Sequence, residues 1–414
     1  MSTLGVRRGL PVASLLLLLQ AGLVLGAPLS EPEWRAARKR VLAAASQGDG
    51  RALAGALEEA AKDDSGRAVE LVLQVGTVAL DGVSYAAAIK ALVTMTGPEA
   101  TAKLCERLRQ KKLDPRARIL LCDAVIARED PDSGAALAGA LEAKEPEVLR
   151  VALGAVRKRR PREAVEPLFG LFGRLSGGKE ADGLLATAVR EALWELTAQS
   201  YETEEDWRKW WAVAKDGFRP RTGDAGPPPL GTAQREKPRP TFFGTELRSD
   251  RLVFVIDISG SMEHEDRIGR AKAQLEQAIG ALVPTARFTV VAFSSGCRLW
   301  EKALVPATPQ QRQRAIEFVR GLQPTGNTLT LGAMKAAFEL EGADAIVLLS
   351  DGFPTETNHT TNQPMQNDEV LAEIGGLNRF KRWRIDTFGF ASANMGDFMK
   401  QLAEASGGTY TEIK

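Results

Sequence analysis

Histidine, cysteine and net charge are the three properties that this 414-residue sequence has little of. It contains two histidines, and no second histidine stands at zinc-ligand spacing from His264, which argues against a zinc site. Three cysteines are too few for a disulfide scaffold in a chain of this length. The 54 basic and 53 acidic side chains leave a net charge of +1, so no overall field favours nucleic acid or an anionic membrane surface.

The first residues have the layout of a secretory signal peptide. Arg7 and Arg8 precede an apolar stretch that only three other residues interrupt. The stretch falls short of the roughly 20 apolar residues that a membrane-spanning helix needs. We therefore expect a signal peptide at residues 1–26, no membrane span after its cleavage, and an exported protein that is periplasmic, cell-surface or secreted.

Residues 31–218 are rich in alanine, leucine and charged side chains, and their apolar positions follow helical periodicity. Helix-forming runs about 32 residues apart begin near Val83, Pro115, Pro146 and Gly183. The second helices of the first three pairs should start at prolines, which a first helical turn tolerates: Pro98, Pro131 and Pro161. Helix pairs of this period bury their apolar faces by stacking. The pattern predicts an all-α solenoid that resembles HEAT repeats, with tetratricopeptide repeats as the alternative.

Two clusters in this segment each allow two interpretations. Trp207, Trp210 and Trp211 lie at helical spacing, and we expect them to cap the core of the last repeat rather than form a ligand surface. The basic run from Arg157 to Arg160 could bind nucleic acid. In a chain of almost no net charge, a solvated helix end is the simpler interpretation.

The cysteines and the segment after the helices complete the first half. Cys105 and Cys122 are expected on neighbouring antiparallel helices, and whether they pair stays open; the alternative is that all three cysteines are small buried hydrophobes. Residues 219–243 contain a proline- and glycine-rich run without periodic apolar residues, which predicts a semi-rigid linker.

Residues 249–414 alternate apolar runs with helical patterns, which predicts an α/β, Rossmann-like domain. The predicted strands are 252–257, 287–293, 298–303, 344–350, 383–390 and 408–413. The predicted helices are 267–282, 309–321, 330–339, 367–379 and 395–406. Continuously apolar runs are typical of strands that helices cover on both faces. We expect a mostly parallel six-stranded sheet, in which the strand at 298–303 follows too closely for a helical crossover and pairs antiparallel.

Polar side chains follow two of these apolar strands. Asp257 ends the first strand and is followed by Ser259 and Ser261, and Asp351 follows the strand 344–350. A glycine-containing loop before the helix at 330 can present Thr328 to the same crevice, because ligands bind at the carboxyl ends of strands near a reversal of strand order. Oxygen-only shells suit small hard cations, so this set predicts Mg²⁺, with Mn²⁺ or Ca²⁺ as alternatives.

The residues D-I-S-G-S at 257–261, with G-N-T at 326–328 and S-D-G at 350–352, resemble the metal-ion-dependent adhesion site of the von Willebrand factor A (VWA) domain. The likeness covers residues 249–414. It implies that Ser259, Ser261 and Thr328 approach the metal directly, while the two aspartates act directly or through water. It also implies a non-enzymatic module whose protein ligand supplies an acidic residue to the metal, and a last helix that shifts on binding.

Two other functions stay open. In one, the helical repeats bind the partner and the metal is only structural. In the other, the protein is a metal-dependent hydrolase. The sequence offers little for catalysis, since it contains no G-x-S-x-G elbow and no phosphate-binding G-x-x-x-x-G-K loop. Position 259, where haloacid dehalogenase-like phosphatases carry a second carboxylate, is a serine.

Overall fold

The computed structural model describes residues 28–78, 81–176, 183–223, 239–358, 361–390 and 395–414. The expected signal peptide at residues 1–26 lies outside them. A helical half comes first, with helices α1 (Glu31–Gln47), α2 (Gly50–Ala61), α3 (Gly66–Gly76), α4 (Gly82–Thr94), α5 (Pro98–Arg109), α6 (Pro115–Ala127), α7 (Pro131–Ala140), α8 (Pro146–Arg159), α9 (Val165–Ser176), α10 (Leu184–Thr197) and α11 (Glu204–Ala214).

The helices stack as pairs. α4 packs on α2, α6 on α4 and α8 on α6, while α5 packs on α3 and α7 on α5, so successive hairpins form two layers. Pro98, Pro115, Pro131 and Pro146 are each the first residue of a helix, where the missing N–H has no intrahelical acceptor to satisfy. Pro161 differs, because a short 3₁₀ turn at Arg162–Ala164 comes between it and α9. The helical first half of the chain is thus consistent with helical repeats.

Aromatic side chains close the core of the helical half at its last hairpin. Trp207 is 2% exposed and stacks on Phe169 with ring centroids 5.4 Å apart. Trp211 is also buried, and its ring meets Phe169 at 6.2 Å. Trp210 is half-buried beside Phe218. Trp207 and Trp211 therefore cap the core, as predicted.

The arginines of the basic run at the end of α8 make contacts within the protein and are not simply solvated. Its three arginines are engaged with Glu191 and Glu195 of α10 and with the backbone carbonyls of Asp130, Arg157, Arg221 and Gly223. Carbonyls at helix and loop ends lack intrahelical partners, and guanidinium groups satisfy several at once. The expectation of a solvated helix end was therefore wrong for the arginines.

The second half contains strands β1 (Thr241–Phe242), β2 (Thr245–Glu246), β3 (Arg251–Asp257), β4 (Arg287–Phe293), β5 (Cys297–Leu299), β6 (Val305–Pro306), β7 (Ala345–Ser350), β8 (Thr357–Asn358), β9 (Gln363–Pro364), β10 (Arg384–Phe390) and β11 (Tyr410–Ile413). Its helices are α12 (Arg267–Ala281), α13 (Pro309–Arg320), α14 (Thr330–Phe338), α15 (Asn367–Asn378) and α16 (Met395–Ala405).

The main sheet of the described residues has the order β11-β10-β7-β3-β4-β5, and its first five strands run parallel. β5 pairs antiparallel with β4, as expected from the short connection. It is shorter than predicted, and β6 also pairs with β4, in the register Phe288 to Val305, which makes a seventh strand. The two-residue β6 ends in a proline and is too short to show an alternating pattern, so it was not predicted.

Helices cover both faces of the sheet. Phe254 and Ile256 of β3 face a core to which α12 and α13 contribute, whereas Val253 and Val255 face a core built with α14, α15 and α16. Alternate side chains of a strand point to opposite faces, which is why all of them are apolar here. Phe242 of β1 is fully buried against Phe388, with ring centroids 4.8 Å apart. The last residues of the expected linker therefore contribute to this core.

The two halves contact each other through the segment after α15. The rings of Phe380 and Tyr85 meet edge to face at 5.6 Å, and Arg150 of α8 donates a hydrogen bond of 2.9 Å to the carbonyl of Lys381. α15 also packs on α4. An aromatic pair and a half-buried guanidinium contact are features of a specific interface rather than of a loose tether.

The three cysteines are free thiols. Cys105 and Cys122 are buried and unbridged, and burial raises the pKa of both, so they behave as small hydrophobes. Cys297 is exposed, which contradicts the alternative interpretation that all three cysteines are buried. Among the residues described by the structure, none of the helices has the length and hydropathy that crossing a bilayer requires.

Candidate metal site at the carboxyl end of the sheet

The candidate site lies where the connections from β3 diverge. β3 is flanked by β4 on one side and by β7 on the other, so the chain leaves its carboxyl end in one direction and later returns on the opposite side. Such a reversal opens a crevice beyond the strand ends. Asp257 ends β3, and Asp351 directly follows the last residue of β7, Ser350.

Asp257 is the deepest of the five predicted site residues, with no exposed surface. Its Oδ1 accepts a hydrogen bond of 2.7 Å from the amide of Ser259, and its Oδ2 accepts one from the hydroxyl of Ser350. Burial raises the pKa of Asp257 to about 6, although these hydrogen bonds oppose the rise; the nearby charge of Asp351 adds to it. A cation bound nearby would offset the cost of holding these two negative charges in a buried position.

The two serines and Asp351 form a short chain of hydrogen bonds. The hydroxyl of Ser259 lies 3.1 Å from that of Ser261, and the hydroxyl of Ser261 donates to Oδ1 of Asp351 at 2.7 Å. Ser259 and Asp351 are buried, whereas Ser261 is half-buried and opens to solvent. The three side chains therefore line one path from the interior to the surface.

Backbone contacts bring the Thr328 loop to the same place. The amide of Gly260 donates to the carbonyl of Gly326 at 3.0 Å, and the amide of Thr325 donates to the carbonyl of Ile258 at 2.8 Å. Gly326 has φ +74°, a left-handed conformation that glycine adopts without steric cost. The loop is thereby held against the residues that precede and follow Ser259.

Gly352 shows how closely the loops approach. A Cβ at this position would lie 3.2 Å from Oγ1 of Thr328 and 3.8 Å from Oγ of Ser261. Both hydroxyls therefore face the same point, and any side chain larger than hydrogen would crowd it. The Asp351 loop is also tied to the Thr328 loop, because the amide of Thr355 donates to the carbonyl of Thr328 at 2.9 Å and the Thr355 hydroxyl accepts from the amide of Thr328 at 3.0 Å.

Asp257, Ser259, Ser261, Thr328 and Asp351 thus gather in one crevice, although 94 positions separate the first from the last. Two carboxylates and three hydroxyls make an oxygen-only donor set of the kind that Mg²⁺, Mn²⁺ or Ca²⁺ accepts, so the residues fit a divalent ion. In the described residues, no three His, Cys, Asp or Glu side chains cluster as a metal site. A site that relies on hydroxyl oxygens does not need such a cluster.

Two further side chains at the site were missed by the sequence interpretation. Ser350 hydrogen-bonds Asp257, and Arg267 forms an ion pair with Asp351, with Nη1 2.7 Å from Oδ2. Ser350 stands in the S-D-G motif itself, so its position was a usable signal. No sequence signal pointed to Arg267, because an arginine at the start of an amphipathic helix is common. The acidic run at 263–266 before it is exposed, as a charged loop should be.

A buried glutamate, Glu356, contacts the start of the helix that follows the Thr328 loop. Oε1 of Glu356 accepts a hydrogen bond from the amide of Leu331 in the first turn of α14, where helix amides lack intrahelical acceptors. Its Oε2 has no partner among the described residues, and burial raises the pKa of Glu356. The hydroxyl of Thr330, two residues from Thr328, is likewise buried without a partner in the described part of the chain.

Comparison with known proteins identifies the fold that carries this candidate site. Residues 250–412 match the family model of the von Willebrand factor type A domain, and this part of the chain is a VWA domain. The chain is 34% identical over 131 residues to inter-alpha-trypsin inhibitor heavy chain H1 of Mesocricetus auratus, covering 29% of this chain and 14% of that protein. It is 31% identical over 182 residues to heavy chain H4 of Homo sapiens, covering 41% of this chain and 19% of that protein. The chain thus spans less than a fifth of the length of these relatives.

Among solved structures, the chain is similar to a von Willebrand factor type A protein from Catenulispora acidiphila. The sequence identity is 25%, the TM-score is 0.34, and the match covers 39% of this chain and 38% of that one.

Proposed function

We propose that this protein is an exported, non-enzymatic binding module that captures a protein ligand through a divalent metal ion. The observation that carries the proposal is the convergence of five oxygen-bearing side chains from three loops on one half-open crevice. The VWA family of residues 250–412 supports it, because metal-dependent adhesion is what the resemblance of these motifs implies.

Each of the five residues has a role that follows from its position. Ser259, Ser261 and Thr328 would offer neutral hydroxyl oxygens to the ion, and Asp257 and Asp351 would offer carboxylate oxygens directly or through water. Magnesium prefers about six ligands in octahedral geometry and keeps bound water. A bound ion would supply a positive Lewis-acidic centre with a position open toward solvent beside Ser261.

The charge balance of the site favours an acidic ligand. A dication held by Asp257 and Asp351 would have its charge balanced only in part, since one oxygen of Asp351 already interacts with Arg267. A carboxylate from an aspartate or glutamate of a partner would complete both the charge and the coordination. We therefore propose an acidic protein segment as the ligand, with the helical half as a second interaction surface.

Metal binding itself is the first test. Titration calorimetry of the full chain with Mg²⁺ and with Mn²⁺ should give one saturable site, and Asp257→Ala should abolish it. Asp216→Ala is the matched control, because Asp216 is an exposed carboxylate of the helical half, outside the site. No heat with either ion in the wild type would contradict the proposed site.

Ligand capture is the second test, and it separates the three candidate functions. Pull-down from the native extracytoplasmic fraction should lose the partner on adding chelator and with Asp257→Ala. Capture that survives chelator but is lost on deleting residues 31–218 would favour a scaffold with a structural metal. Metal-dependent turnover of generic ester or phosphate substrates would favour a hydrolase.

Export is checked by sequencing the amino terminus of the mature protein, which should begin after the signal peptide.

A further inference from the structure

Arg267 lies in contact with the proposed metal ligands. It is the first residue of α12, and its Nη1 lies 2.7 Å from Oδ2 of Asp351. The Arg267 side chain is 15% exposed and the Asp351 side chain is fully buried, so water screens the pair only weakly. The other oxygen of Asp351 accepts from Ser261. One carboxylate is thus shared between the metal crevice and a guanidinium.

An energetically costly turn places Arg267 there. The two residues before it, Glu265 and Asp266, have φ values of 51° and 53°, in the left-handed region. A non-glycine residue pays roughly 1–2 kcal/mol for this conformation. Two such residues in succession persist only where surrounding contacts over-determine them, and such sites cluster at functional positions. Gly269 packs against this turn, since a Cβ there would press on the Asp266 carboxylate and displace it.

The charges at the site explain what the guanidinium does. Asp257 and Asp351 are both buried, and their like charges repel in a medium of low dielectric constant. Arg267 neutralises part of this charge from the helix side. A second carboxylate, that of Glu265, lies with Oε2 3.8 Å from Nη2 of Arg267. It is exposed, so it draws the guanidinium little away from Asp351.

We propose that Arg267 is a built-in counter-cation that competes with the divalent ion for Asp351 and thereby sets the metal affinity of the site. This inference rests on the proposed metal site. Without the ion, Arg267 stabilises the assembled loops against repulsion between the carboxylates. With the ion bound, the same charge repels it and occupies an oxygen that the ion would otherwise share. The site is therefore assembled without metal and binds it less tightly than its carboxylates alone would allow.

Neutral replacements of Arg267 separate this role from simple support of the fold. The full chain carrying Arg267→Gln, or Arg267→Met as a second neutral variant, is titrated with Mn²⁺, and thermal unfolding is recorded in chelator and in Mn²⁺. The dissociation constant should fall at least about fivefold, because a positive charge near the ion is removed. The melting temperature in chelator should drop, and the rise caused by Mn²⁺ should exceed that of the wild type.

Two controls isolate the charge. Arg267→Lys keeps it and should bind Mn²⁺ within about twofold of the wild type by the same Coulomb argument. Arg320→Gln removes an arginine from an exposed ion pair with Glu276 and should change neither readout. If the wild type binds Mn²⁺ and both neutral variants bind it equally or more weakly, the role of Arg267 is overturned while the proposed metal site stands. No saturable binding in the wild type overturns the proposed metal site and the inference with it.

Discussion

Arg382, in the VWA domain, donates a hydrogen bond to the carboxylate of Asp123 on α6, 259 positions earlier in the chain. The Asp123 side chain is 12% exposed, and the same carboxylate oxygen accepts a hydrogen bond of 2.6 Å from the hydroxyl of Tyr85. Burial raises the pKa of Tyr85, so its hydroxyl remains a donor. A single carboxylate therefore joins two helices of the repeat half to the segment between α15 and β10.

Asp123→Ala should destabilise the full chain by roughly 2 kcal/mol, because the guanidinium of Arg382 and the hydroxyl of Tyr85 lose a shared acceptor at a mostly buried position. Urea unfolding measures the change. Glu58→Ala is the matched control, since Glu58 pairs with Lys90 at an exposed position and should change stability by less than about 0.5 kcal/mol. Equal effects of the two substitutions would show that the interface contributes little.

Gly352→Ala tests the close packing of the loops around the metal crevice. The added methyl group would lie 3.2 Å from the Thr328 hydroxyl and must displace it. We expect metal affinity to fall by about tenfold, the weakening that misplacing a single supporting group typically causes at a metal site. Gly280→Ala, on α12 where a Cβ meets no atom within 4 Å, is the control and should leave binding unchanged. Wild-type affinity in Gly352→Ala would mean that Thr328 is not a ligand.

The buried carboxyl of Asp257 predicts how stability depends on pH without metal. Its folded-state pKa, about 6, lies above the value of 3.8 of a free carboxyl, so folding favours the protonated form. Its contribution to stability is complete below the lower value and is lost as pH rises through about 6. In chelator, the wild type should lose roughly 1 kcal/mol more than Asp257→Asn between pH 5 and pH 7.

Thermal or urea unfolding at the two pH values provides this measurement, with Asp257→Asn as an isosteric reference that cannot titrate. Adding Mg²⁺ at pH 7 should restore the lost stability to the wild type and not to the variant. Identical pH dependence in the two proteins would show that ionisation of Asp257 does not destabilise the metal-free protein.

Most of the secondary structure followed from the sequence because it depends on neighbouring residues. Proline can occupy the first turn of a helix, and Pro98, Pro115, Pro131 and Pro146 mark helix starts for that reason. The buried strands β3 and β7 were recognisable because both of their faces are apolar. The two-residue β6 was not, since its pairing depends on where β4 lies rather than on its own side chains.

By itself, the sequence determined a helical first half, a mostly parallel sheet in the second, and the order of five oxygen donors, four of them at or after strand ends and Thr328 before a helix, since spacing and periodicity are local properties. Only the tertiary structure decided that Arg267 reaches Asp351 and that Arg382 meets Asp123. These contacts join residues 84 and 259 positions apart. No local pattern encodes such a pairing, because which distant charges meet is fixed by how whole helices pack and where the turns between them place their ends.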